Sequence, residues 1–88
     1  MADCVRICEL RQKEVINIRD GCRFGYIYDI EMDITEGKTR AIIIPGPARV
    51  LGVFGHDQEY KVPWDCIKQI GEDIILVDVD TSKVIINI

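Results

Sequence analysis

The chain is poor in aromatic residues, with one Trp, three Tyr and two Phe among 88 residues. A core of stacked rings is excluded, so aliphatic Ile and Val must fill it. Positive charge is also scarce: 11 Lys and Arg stand against 15 Asp and Glu, a formal net charge of −4. Phosphate backbones are held by clustered Lys and Arg. The densest basic group, Arg6, Arg11 and Lys13, is diluted by Glu9 and Glu14. Nucleic acid and anionic membrane surfaces are therefore not expected partners. No apolar run approaches the ~20 residues of a spanning helix, so membrane insertion is not expected. Met1-Ala2-Asp3 leads into mixed charges, unlike the basic and apolar regions of a secretory signal. The expected compartment is the cytoplasm. Histidine is almost missing too, since His56 is the only one. A nucleophile needs a base within reach, and a lone histidine in a Gly55-His56-Asp57 turn is poor provision. The expectation is a protein that is not an enzyme and holds no cofactor.

What is present points to one folded domain over 1–88. Hydrophobic residues make up 48%, and a chain of this size buries roughly 60–65% of its unfolded surface. Four cysteines, Cys4, Cys8, Cys22 and Cys66, are expected as reduced thiols. Cys4 and Cys8 share a face if their segment is helical. With Cys22 and His56 they make a nominal zinc set. Structural zinc sites, however, draw a closely spaced pair from each half, and here only one pair exists. The favoured reading is small buried hydrophobes that happen to be thiols. Zinc binding or thiol redox sensing by Cys4, Cys8 and Cys22 is the alternative.

Periodicity predicts a mostly β domain of about six to seven short antiparallel strands with one or two helical turns. Residues 3–13 read as a helical turn capped by Asp3, with Val5, Cys8 and the stem of Arg11 on one face. Residues 15–18 form a strand closed by an Asp-Gly turn. Over 24–34, Phe24, Tyr26, Tyr28, Ile30, Met32 and Ile34 alternate with Gly25, Ile27, Asp29, Glu31 and Asp33, predicting one long strand with one buried face. Gly25 suits a bend or a close approach. Residues 40–44 are apolar on both faces and belong at the centre of a sheet. Pro45 and Pro47 end that strand. Strands follow over 48–54 and 58–64, with Pro63 confining the latter to an edge or its own end. Asp65 opens a turn over 66–69. Strands over 74–79 and 84–88 close the chain. The last either completes the domain's own sheet or presents a free edge for dimerisation.

Three spans carry a resemblance. They are Val15-Ile16-Asn17 through Asp20-Gly21 and on to Phe24-Gly25-Tyr26-Ile27-Tyr28-Asp29-Ile30; Gly37-Lys38 into Ala41-Ile42-Ile43-Ile44; and Tyr60-Lys61-Val62-Pro63-Trp64 through Ile67 to Ile70-Gly71-Glu72-Asp73-Ile74-Ile75-Leu76-Val77. Their order resembles the PRC-barrel family, especially its short, single-domain, sporulation-associated members of the YlmC/YmxH type. The similar core covers about 10–78, leaving 1–13 and 84–88 as extensions. The resemblance implies a small β-barrel acting as a non-enzymatic adaptor in a sporulation-related process of a spore-forming bacterium. It brings no catalytic residues with it.

Partner-binding candidates are then sought among exposed apolar groups. Val50, Leu51, Val53 and Phe54 put apolar side chains on both faces of one strand, within a candidate docking region over 45–57. Trp64 is a candidate anchor, although so small a core also has use for it. Asp29, Glu31 and Asp33 are expected to line a solvent face as an acidic stripe. The partner is another protein, with homo-oligomerisation as an option.

Overall fold

A computed structural model describes residues 4–46 and 58–87. The strand candidate over 48–54, with Val50, Leu51, Val53 and Phe54, lies outside the described residues, as do Asp3 and His56. The described chain runs α1 (Ile7–Leu10), β1 (Glu14–Asn17), β2 (Arg23–Tyr26), β3 (Asp29–Asp33), β4 (Lys38–Pro45) and β5 (Gln58–Pro63). A 3-10 turn (Trp64–Cys66) leads to β6 (Ile67–Ile70), β7 (Ile74–Val77), α2 (Thr81–Val84) and β8 (Ile85–Asn87).

These eight strands make two four-stranded sheets, ordered β2-β1-β7-β6 and β3-β4-β5-β8. The mostly β class is as expected. The strand count is higher, and among the described residues the ladders form two sheets, not one closed barrel. The pairing is not wholly antiparallel either: β1 runs parallel to β7, with Glu14 opposite Ile74 and Asn17 opposite Val77. A parallel pair needs a long crossover, and the five strands between β1 and β7 supply it. Lys13 reinforces this pairing, its ammonium donating to the carbonyls of Gly71 at 2.6 Å and Glu72 at 2.8 Å just before β7.

The long strand predicted over 24–34 is two strands in different sheets. β2 pairs with β1, and β3 with β4. Gly25 turns the corner at φ +107°, a conformation that side chains resist. The β1–β2 register also slips by a bulge opposite it, between Val15 and Ile16. The corner changes the phase of burial. Phe24 and Ile27, three apart, face the core, while Tyr26, Tyr28, Met32 and Ile34 are exposed. Alternation is the same whether a strand continues or a new one begins, so the pattern alone hides the break.

The expected aliphatic core is present and common to both sheets. Val15, Ile75 and Val77 of the first meet Ile42, Ile44 and Val62 of the second, all without solvent contact. β4 is central and buried from Ala41 to Ile44, as its two-faced apolar run predicts. Phe24 and Tyr60 add a tilted ring pair, centroids 4.4 Å apart. β5 ends at Pro63, as expected, but the chain then enters the 3-10 turn directly, and 67–70 is strand where a turn over 66–69 was expected. Residues 81–84 are helical, so the terminal strand starts at Ile85 and completes the domain's own sheet against β5.

Among the described residues, one polar side chain lies wholly inside. Asn17 accepts at Oδ1 from the Val79 amide (3.1 Å), and its Nδ2 donates to the Val79 carbonyl (2.9 Å) and to Thr81 Oγ1 (3.2 Å). Thr81 donates in turn to Asp20 at 2.8 Å. This chain of bonds fastens the segment leading into α2 onto β1.

Candidate functional site

The cysteines are not the buried set expected. Cys4 and Cys8 are exposed, and Cys22 and Cys66 are half-buried against the core. α1 starts at Ile7, with the Arg6 amide donating to the Glu9 carboxylate at 2.8 Å. Its buried residue is Leu10; Val5, Cys8 and Arg11 all face solvent. Among the described residues no three His, Cys, Asp or Glu side chains stand close enough to hold one metal ion. Cys4, Cys8 and Cys22 are therefore not brought together, and the zinc alternative finds no support. Burial pushes the Cys22 thiol up, and Asp20 nearby adds to the shift. Only thiolate reacts with alkylating reagents. Timed alkylation at pH 7.5 with mass analysis should modify exposed Cys4 well before Cys22; equal rates would contradict this placement.

The acidic stripe of β3 is largely neutralised by its own sheet. Glu31 pairs with Lys61 at 2.9 Å, and Asp33 pairs with Arg40. The Arg40 guanidinium and two backbone amides hold the Asp33 carboxyl below the usual carboxylate range. Asp78 pairs with Arg19 at 2.9 Å. Asp80 caps α2, and its acidity is raised mainly by the Ser82 hydroxyl and amide. Glu14 is lowered by Arg23, and Asp20 by the Cys22 amide and the Thr81 hydroxyl. Every lowered carboxyl thus has a structural partner that explains it.

Trp64 stands where β5 leaves the second sheet and β6 enters the first. Pro63 precedes it with φ −58° and ψ 141°, values proline favours. The indole ring packs partly on the core. Its remaining surface borders a hollow of about 560 Å³, lined also by Glu36, Lys38, Thr39, Arg40 and Asp65. Charges of both signs surround one aromatic group there, the mixed lining of an interface rim around an anchor.

A second surface was missed by sequence reasoning because Tyr26, Tyr28 and Met32 were assigned to a buried strand face and Ile7 to no face. Ile7 of α1, Tyr26 of β2, Tyr28 at the corner and Met32 of β3 are 55%, 53%, 47% and 49% exposed. They border two adjoining hollows that share Arg11, Ile27 and Tyr28. The Tyr28 hydroxyl donates to Glu59 at 2.6 Å, which holds the ring over the corner. The available signal was Gly25 followed by Ile27, a glycine bend and an apolar residue out of phase.

Comparison with known proteins accords with this architecture. Over 73 residues the chain is 45% identical to a protein of Bacillus subtilis (strain 168) named probable sporulation protein YlmC, covering 83% of this chain and 90% of that one. It is 32% identical over 77 residues to YmxH of the same organism, an uncharacterized protein, covering 85% and 89%. An uncharacterized protein of Clostridium acetobutylicum is 38% identical over 71 residues, covering 81% and 80%. The PRC-barrel domain matches residues 3–84, nearly the whole span, and the chain accordingly belongs to the PRC-barrel family.

Proposed function

We propose that the chain is a non-catalytic adaptor of a sporulation-related process, acting in the cytoplasm by docking another protein against Trp64. The observation that carries this reading is the half-buried indole beside a hollow walled by charged and polar groups. A tryptophan fixed by proline and by the core is already ordered, so little freedom is lost when a partner covers it. The partner it suits is a protein segment with an apolar side chain for the indole and polar groups for Lys38 and Asp65. The structural partners found for the lowered carboxyls favour binding over catalysis, because none is kept reactive inside a hollow. Likeness to a probable sporulation protein supports the process.

The test uses the immobilised chain and extracts of sporulating cells. The unchanged chain should retain a protein that a Lys38→Glu/Asp65→Arg variant fails to retain, with unchanged circular dichroism. Equal retention by the variant would remove Trp64's hollow as the docking site. Unaltered spore yield after deletion of the gene would remove the sporulation role.

A further inference from the structure

The exposed face built by α1 and the β2–β3 corner shares no lining residue with the Trp64 hollow. Large apolar surfaces are seldom left open on a small monomer, and where they persist they mark a contact. Charge at the margin of this face narrows what covers it. Arg11 and Asp29 both line the hollow of about 290 Å³, together with the apolar Ile7, Ile27, Ile30 and Met32. Neither makes an ion pair among the described residues; the Asp29 carboxylate accepts only from the Ile30 amide beside it. The neighbouring acids Glu31 and Asp33 are already matched.

The occupant must therefore offer an apolar surface, one anion for Arg11 and one cation for Asp29. A second copy turned about a two-fold axis offers these in the required arrangement. In such a contact each residue meets its counterpart's partner, so one cation and one anion across an apolar floor form a self-complementary set. We propose that a second copy of this chain covers the α1/β2–β3 face, giving a dimer held by apolar contact of Ile7, Tyr26, Tyr28 and Met32 and by two reciprocal Arg11–Asp29 ion pairs. Pairing through the β3 edge is a poorer arrangement. An antiparallel β3–β3 ladder centred on Glu31 sets Glu31 against Glu31 and Asp29 against Asp33, and like charges opposite each other destabilise a ladder.

The test is sedimentation equilibrium of the full chain under reducing conditions, which exclude disulfides through Cys4 or Cys8. A mass twice that of the 10.0 kDa chain is expected at micromolar concentration. Arg11→Asp and Asp29→Arg should each weaken association at least tenfold, since each places like charges together at both pairs. The double variant Arg11→Asp/Asp29→Arg exchanges the two signs and should return the dissociation constant to within about threefold of the starting value. Met32→Glu, at an exposed position, should give a monomer with an unchanged circular dichroism spectrum. A chain that stays monomeric to about 0.5 mM overturns the proposal and leaves the face to a different protein. Single variants that dimerise normally, or a double variant as weak as the singles, overturn it as well. The Arg11 and Asp29 results do not bear on the Trp64 hollow, because neither residue lines it.

Discussion

Substituting Asn17 by leucine is expected to lower the thermal midpoint of the domain by roughly 10–20 °C. Leucine matches asparagine in branching and in number of heavy atoms, but it is bulkier and can neither donate nor accept. The Val79 amide and carbonyl, in a residue only 3% exposed, then lose the partners found at 3.1 and 2.9 Å. A stranded buried group costs about 1–3 kcal/mol. Two such groups cost on the order of 3 kcal/mol, and in a domain of this size each kcal/mol shifts the midpoint by roughly 4–8 °C. Thr81→Val removes two hydrogen bonds of the same network, to Asn17 and to Asp20, neither of them fully buried, and should cost only about 1 kcal/mol. Thermal unfolding followed by circular dichroism distinguishes the two. An Asn17→Leu midpoint within about 3 °C of the starting protein would mean that Val79 finds other partners.

Ile44→Ala should be comparably damaging, by about 2–5 kcal/mol. Ile44 has no solvent exposure and lies in β4, yet its Cγ2 is within 3.8 Å of where a side chain on Gly25 of β2 would begin. It thus fills space between the two sheets. Alanine there leaves a void walled by both sheets, which can collapse only if the sheets shift together. Ile34→Ala is the matched comparison. Ile34 is 93% exposed, and its truncation should stay within about 0.5 kcal/mol. Urea unfolding gives both values. Similar losses at Ile34 and Ile44 would restore the single buried face that alternation predicts over 24–34.

The contrast between those two isoleucines shows what the sequence discloses. β4 was legible because Ala41 to Ile44 leaves no polar position for a solvent face. The turns were legible because Asp-Gly and proline act through local backbone geometry. The corner at Gly25 was not, since the exchange of a tyrosine face for Phe24 and Ile27 depends on which sheet receives each half of the segment. The parallel partnership of β1 with β7 was illegible for a related reason. Both strands are short and aliphatic, and nothing local in either specifies the direction of a neighbour far along the chain. Asn17 was one polar residue within the apolar strand expected over 15–18, and its role emerges only when Val79 is beside it. Of the candidate site, Trp64 was found by residue type. The α1/β2–β3 face was missed because Tyr26, Tyr28 and Met32 looked like core.

The parallel pairing of β1 with β7 also fixes an order of assembly. β3, β4 and β5 are consecutive neighbours, so their ladders can form while the rest of the chain is still being synthesised. β1 can find β2 early, but a two-stranded ribbon is marginal alone. Its other neighbour emerges only after β6, and closing so long a loop costs entropy before any contact repays it. Until β7 arrives, the apolar side of the second sheet has no lid. The β1–β7 pairing is therefore a late event, and Asn17, which bonds to Val79 just beyond β7, can make its bonds only after it.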